Sequence, residues 1–425
     1  MQIIADLQIH SKYSRATSKN MDLEHISEGA KLKGLNLVGT GDCTFPDWVK
    51  NLKEKLVGEN DSGIYKYKDM MWMITGEIST VYEQENKVRK IHHLFYIPNF
   101  EVLDQVNDRL SKLANLSSDG RPIFNKLTSP EFVELLMECS KEIIVLPSHA
   151  WTPWFGVFGS KSGFDSLEEC YQDQTKNIFS LETGLSSDPA MNWRLSQLDK
   201  ITLMSNSDSH SPNPWRLGRE ANVFELKKVT YGEILDVIKK GDNKRFLYTI
   251  ETDPAYGKYH FSGHKNCNIS LDPKEAIRLK NKCPRCGRML TIGVLQRVEQ
   301  LADREEGFAK KDAIPFKSLL PLYEIISFAL GTNQLYSKRI IEIQNKLIDR
   351  FGNELNVLLN VSENEIIKVS NEKIGEAIAK IREEKVRFEP GYDGVYGKPI
   401  FNNKPLIKRN YGDQKTLSDF KGSVV

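Results

Sequence analysis

Seven side chains of the metal-ligand type draw attention first: His10, Asp42, Glu77, His93, His149, Asp208 and His210. Imidazole and carboxylate together suit zinc, manganese or iron better than calcium or magnesium. Clustered divalent ions activate a water and clamp the oxygens of an in-line phosphoryl displacement. Taken singly, each residue also has a plain structural reading, and His25, inside a charged helical segment, is read that way. The set is harder to dismiss, because its members fall at successive ends of apolar runs. The Ser-Asp-Ser-His stretch at 207–210, directly after such a run, has no obvious purpose as loop chemistry alone.

A second pattern is His264-x2-Cys267, fifteen residues, then Cys283-x2-Cys286. This is the spacing of a four-coordinate structural zinc, with Pro284 and Gly287 at the second knuckle, where the backbone must turn sharply. His260 is an alternative to His264. A closed four-ligand site has no open position, so its expected role is architectural. Cys43, Cys139 and Cys170 are scattered and read as small buried hydrophobes or inert thiols.

The elements that must position these groups alternate over residues 1–240. Apolar strand candidates lie at 3–9, 35–40, 72–78, 91–97, 143–147, 178–182 and 201–206, with helix-period segments between several of them. Seven strands separated by helices predict an α/β fold with a parallel sheet, most simply a barrel. Polar residues recur at the strand ends, Glu182 among them, where α/β barrels build active sites. Residues 253–300 form a turn-rich module that carries the zinc pattern, and 301–400 a helical domain. Residues 401–425 are expected to be a flexible tail.

At 425 residues, two or three domains are expected. Hydrophobic content of 40% and charged content of 27% suit a protein with a sizeable core, and a net charge of +2 makes any nucleic-acid footprint local. No apolar run approaches the ~20 residues of a membrane span. With no leader pattern at Met1 and no disulfide-like cysteine spacing, a cytoplasmic location is expected.

The runs "DLQIHSKYS", "GTGD", "TGEIS", "HHLFYIP", "PSHAWTPWFG" and "SNSDSH" together resemble the PHP (polymerase and histidinol phosphatase) phosphoesterase family. The resemblance implies a distorted (β/α)7 barrel and two or three catalytic divalent metals, zinc, manganese or magnesium. It implies one ion near Gln8, His10, Glu77 and Asp208. A second would be bridged by Glu77 to His93 and His149, and a third would lie near Asp42 and His210. His92 competes with its neighbour His93. Gln8 stands where that family usually has His, and Asp42 in "TGD" where it usually has Thr-Asp-His. An amide oxygen is a weaker, harder donor than imidazole, so an altered centre is expected rather than a dead one.

Longer runs, including "LETGLSSDPAMNWRLSQLD", "SDSHSPNPWRLGREAN" and "EPGYDGVYGKP", resemble endonuclease Q, an archaeal-type DNA repair nuclease family, over about 1–400. The resemblance implies a nick on the 5′ side of deoxyuridine, deoxyinosine, deoxyxanthosine or an abasic site, leaving 3′-hydroxyl and 5′-phosphate ends. Asp208, Glu77 and His210 would carry catalysis, with Asp208 also placed to accept a proton. Trp151, Trp154, Phe155 and Trp215 could stack on or wedge beside a flipped base. Arg194, Arg216 and Arg219 could hold phosphates, and the lysines and arginines of 338–350 could grip the duplex.

In the tail, Gln414, Leu417 and Phe420 resemble the PCNA-interacting peptide that docks repair proteins on the sliding clamp. Two rival readings stay open: a histidinol-phosphate-type phosphatase acting on small molecules, and a DNA-binding adaptor without catalysis.

Overall fold

The computed structural model describes residues 1–59, 61–332 and 337–400. All seven expected strands form: Gln2–Asp6, Leu37–Gly39, Met70–Gln84, Lys87–Ile97, Ile144–Pro147, Ser180–Glu182 and Thr202–Met204. Gln2–Asp6 pairs in parallel with Leu37–Gly39, and that strand in parallel with Met70–Gln84. A bridge between Val145 and Ile178 leads on to the parallel pair Ser180–Glu182 and Thr202–Met204. A bridge between Ile9 and Ser209, with the His10 N–H donating to the Ser209 carbonyl at 2.9 Å, closes the ring. The result is the distorted seven-strand α/β barrel of the PHP type.

One strand departs from the all-parallel expectation. Lys87–Ile97 runs antiparallel to both of its neighbours, Met70–Gln84 and Ile144–Pro147. The cause is local: Glu85 and Asn86 both take positive φ (54° and 58°), a two-residue turn whose twist matches that of the strands it joins. Neither residue is glycine, so the sequence signal for a hairpin is faint.

Elsewhere the helix stops follow local chemistry. Leu23–Lys33 starts where the Asp22 side chain accepts from the His25 N–H, and it ends at Gly34, whose φ of 102° suits a residue without Cβ.

Ala221–Glu225 and Phe246–Glu251 extend the sheet outward from Gln2–Asp6 by antiparallel pairing. The chain then forms the hairpin Ser262–His264/Ile269–Leu271, followed among the described residues by five helices between Leu322 and Arg382. A buried ion pair docks these helices on the barrel: Lys33 Nζ lies 2.6 Å from Glu354 Oε1, with side chains 2% and 0% exposed. Glu354 also accepts the Leu322 N–H and the Gln344 amide, so the pair is satisfied on several sides and serves mainly to fix the docking register. The glycine-rich turn at 390–397 folds back, and the Phe261 N–H donates to the Gly391 carbonyl at 3.0 Å. Among the described residues no helix is long and apolar enough to cross a membrane.

Candidate metal centre

The centre is built around Glu77, in the middle of Met70–Gln84 and only 2% exposed. Its Oε2 lies 3.2 Å from His10 Nε2, and its Oε1 lies 3.1 Å from His92 Nδ1 and 3.6 Å from His149 Nε2. His10 Nε2 is in turn 3.0 Å from Asp208 Oδ1, and the His10 and His210 rings are 4.5 Å apart. Two ligand groups result, His10/Asp208/His210 and Glu77/His92/His149, with the ligand atoms of each within 4.8 Å of one another. One carboxylate thus faces both groups. That donor set fits divalent ions that take imidazole and carboxylate ligands.

Asp42 stands behind His10. Its Oδ1 takes His10 Nδ1 at 2.9 Å, and its Oδ2 accepts the Ser11 N–H at 2.7 Å and the Ser11 and Ser14 hydroxyls at 2.6 and 2.9 Å. A carboxylate bonded to the far nitrogen of a ligating histidine fixes its tautomer and orientation, leaving Nε2 for the ion. Asp42, His149 and Asp208 all sit at positive φ (45°, 29° and 47°). Such backbone costs about 1–3 kcal/mol each and gathers where a site demands it.

Electrostatics keep the carboxylates charged. Burial pushes the Glu77 carboxyl up, yet Arg121, His92 and His10 together hold it well below the usual range. Asp208 behaves likewise, with burial overcome chiefly by His10. Burial, reinforced by the positive charge of Arg121, holds His92 down to about 3 despite Glu77, so its imidazole is neutral with a lone pair to donate.

Beneath the centre the sign reverses. Glu182 is fully buried and pushed well above the carboxylate range by burial and by the charges of Asp208 and Glu77. Glu220, whose Oε2 has no hydrogen-bond partner among the described residues, is raised to about 8 by burial. A carboxyl whose folded pKa is raised lowers stability progressively as pH climbs from the unfolded value of about 4.5 to the folded one, with the full loss above that. Glu220→Gln removes that loss. Denaturant melts should show the variant gaining a few kcal/mol on wild type between pH 5 and pH 9. A gap that stays constant with pH would refute a protonated Glu220.

The chain is 36% identical, with a TM-score of 0.84 over 94% of its length and 95% of the other, to the crystal structure of the lesion-specific endonuclease PfuEndoQ from Pyrococcus furiosus. At the same identity and TM-score it matches, over 95% and 97%, a structure of endonuclease Q complexed with a 27-mer duplex substrate with an abasic lesion at the active site. The chain belongs to the endonuclease Q family. It is also 33% identical over 274 residues to the uncharacterized protein MJ0043 of Methanocaldococcus jannaschii. That match takes in 63% of the chain but only 33% of MJ0043, so the chain spans about a third of that relative's length. Residues 321–385, most of the helical region, match the MJ0043 C-terminal domain family.

Within this endonuclease Q chain, His10, Glu77, His149, Asp208 and His210 converge as the sequence implies. His92 replaces His93 in the second group. Neighbours on a strand face opposite ways, and the His93 ring points into the core, between Thr80 Oγ1 and Tyr171 Oη, each at 3.0 Å. Asp42 belongs to neither ligand group, because both of its oxygens are taken by His10, Ser11 and Ser14. Gln8 lies against Glu182 and, with its amide nitrogen turned to the carboxylate, donates to it. The ligand-type His, Asp and Glu side chains therefore form a two-group centre, and Gln8 is hydrogen-bonded to Glu182.

Trp151 is not available to DNA. It is 1% exposed, and its Nε1 donates to Asn192. Arg194 is spent on Glu299, at 2.6 and 3.1 Å. Trp215 packs against Tyr323 at 5.2 Å, which makes it a joint between the barrel and the helices. Trp154 is 43% exposed and next in sequence to Phe155, whose ring lies 4.3 Å from that of His92. Arg121, 3.2 Å from Glu77 Oε2, escapes sequence reasoning because its loop carries no motif.

The second pattern also assembles. His264, Cys267, Cys283 and Cys286 bring one ligand atom each within 4.8 Å of the others. His260 lies outside that group. The residue is half-buried, and its buried Nδ1 has no partner among the described residues. The Cys283 N–H donates to the Arg288 carbonyl, and the Gly287 N–H, at a φ of 72°, to the Cys283 carbonyl. This is a tight knuckle of the kind that holds zinc. Gln414, Leu417 and Phe420 lie outside the described residues.

Proposed function

We propose that the chain is a metal-dependent DNA repair endonuclease that cuts the phosphodiester bond 5′ to a deaminated base or an abasic site. The observation that carries the reading is Glu77, facing one ligand group with each oxygen, in a chain of the endonuclease Q family. Divalent ions held by His10, Asp208 and His210 and by Glu77, His92 and His149 would supply an activated water and neutralise phosphate charge. The chain's own residues do the remaining work. Asp42 holds His10 in the ligating tautomer. Asp208, ionised and with a side chain 30% exposed, is placed to take a proton from the attacking water. Trp154 offers an exposed ring for the base or the gap that a flipped nucleotide leaves, unstacking that costs a few kcal/mol. The four N/S ligands at 264–286 fit one structural zinc, and the C-terminal tail is proposed to reach a sliding clamp.

The test is a nicking assay on labelled duplexes bearing one deoxyuridine, deoxyinosine or abasic site, with manganese or magnesium. Wild type should give one cut on the 5′ side of the lesion, and Asp208→Ala should give none above background. Binding without cutting would point to an adaptor. Release of phosphate from small monoesters without lesion cleavage would point to a phosphatase.

A further inference from the structure

We propose that Arg121 grips a non-bridging oxygen of the scissile phosphodiester and stabilises the charge that grows there during cleavage. This deepens the nuclease reading and rests on it.

The loop that carries Arg121 is fixed before any substrate arrives. The Arg121 N–H donates to Asp119 Oδ1 at 3.1 Å, and Asp119 Oδ2 pairs with Arg15 Nε at 3.1 Å. The Gly120 N–H donates to the Tyr13 carbonyl at 3.1 Å, and the Pro122 carbonyl accepts the Ser79 N–H at 3.0 Å. A side chain at Gly120 would collide with the Asp42 carboxylate and Ser14 Oγ, so the loop lies directly on the shelf that orients His10. Pro122 biases the backbone of Arg121 to an extended conformation. These constraints set the guanidinium 3.2 Å from Glu77 Oε2, the same oxygen that faces His10.

Two features separate this arginine from a structural one. Among the described residues it is the one Lys or Arg paired with a carboxylate of the centre. It also spends little of its bonding capacity. Arg194, by contrast, is 8% exposed, commits two nitrogens to Glu299 and donates a third to the Arg304 carbonyl. Among the described residues Arg121 makes one side-chain hydrogen bond, and 28% of its side chain stays open. A guanidinium has five N–H donors in a fork that matches phosphate oxygens. In the reaction the attacking water forms the new P–O bond and gives up a proton. The P–O3′ bond breaks, and the 3′ oxygen takes up a proton. Arg121 exchanges no proton. Its charge meets the negative charge that collects on the non-bridging oxygens in the transition state.

The test compares wild type with Arg121→Gln, Arg121→Lys and Arg121→Gly in single-turnover nicking of a lesion duplex. Duplex affinity, metal content per chain and melting temperature are measured on the same preparations. Expected for Arg121→Gln is a rate about 10²–10³-fold lower, with metal content and melting temperature unchanged and affinity moved far less than rate. Arg121→Lys should recover part of the rate, and added guanidinium ion should rescue Arg121→Gly. A rate for Arg121→Gln close to wild type would overturn the proposal. So would a rate lost in step with metal content and restored by added metal, since Arg121 would then only balance Glu77. If wild type leaves every lesion duplex intact, the nuclease reading falls, and the same comparison on bis(p-nitrophenyl) phosphate decides the role of Arg121. Hydrolysis of neither substrate by wild type overturns both.

Discussion

Glu77→Gln should reduce lesion cleavage by at least about 10³-fold, some 4 kcal/mol of transition-state stabilisation. The substitution keeps the shape and removes the charge that both ligand groups share. Glu77 Oε2 faces His10, Oε1 faces His92 and His149, and Arg121 balances them. An amide offers one weak oxygen donor where two charged ones stood, so metal bound per chain should fall together with rate. Duplex affinity, set mostly by phosphate contacts across a wider surface, should change little. Elemental analysis, single-turnover nicking and fluorescence anisotropy on one preparation separate the three quantities. A variant that still cuts within about ten-fold of wild type would remove Glu77 from the centre of the mechanism.

Cys283→Ser should strip the second site and loosen everything built on it. Cys283 is 2% exposed and sits in a small core of its own with Ile269, Leu271, Ala276 and Leu290. So small a core cannot hold its backbone by burial alone, and metal binding in such modules carries folding free energy of roughly 10 kcal/mol or more in isolated peptides. Loss of one zinc per chain and loss of hydrogen-exchange protection across 262–291 are expected. A functional consequence should follow. Trp154 rests against Tyr259 at 6.0 Å between ring centres, and the Val294 N–H donates to the Tyr259 carbonyl. Lesion-duplex affinity should therefore weaken more than the cleavage rate of bound duplex. Unchanged zinc content with unchanged protection would show that the four residues hold nothing.

Much of this architecture was legible in the amino-acid order. Five of the seven barrel strands are short, mostly apolar runs, and burial on both faces makes such runs nearly continuous in sequence. Several ligand-type residues lie just past strand ends, so the centre was visible as a set, although Glu77 and His92 sit in mid-strand. The zinc knuckles were visible as spacing, because four ligands on two tight turns leave little freedom in separation. What local pattern could not decide was direction. Lys87–Ile97 turned back through Glu85 and Asn86 without a glycine, and the choice between His92 and His93 depended on which face of that strand met Glu77. Likewise Asp42 became the support of His10 instead of a ligand because Ser11 and Ser14 filled its oxygens, a fact of three-dimensional proximity. Trp151 and Arg194 look like DNA contacts beside the motifs they flank, yet Asn192 and Glu299 claim them from distant turns of the chain. Arg121 is the converse: an arginine without a motif, 44 residues from Glu77 in sequence and 3.2 Å away in the fold. The sequence alone determined which chemistry the chain can do, because ligand types and strand patterns are local. Only the tertiary structure decided which side chains do it, because hydrogen-bond partners and burial are set by segments that meet from far apart.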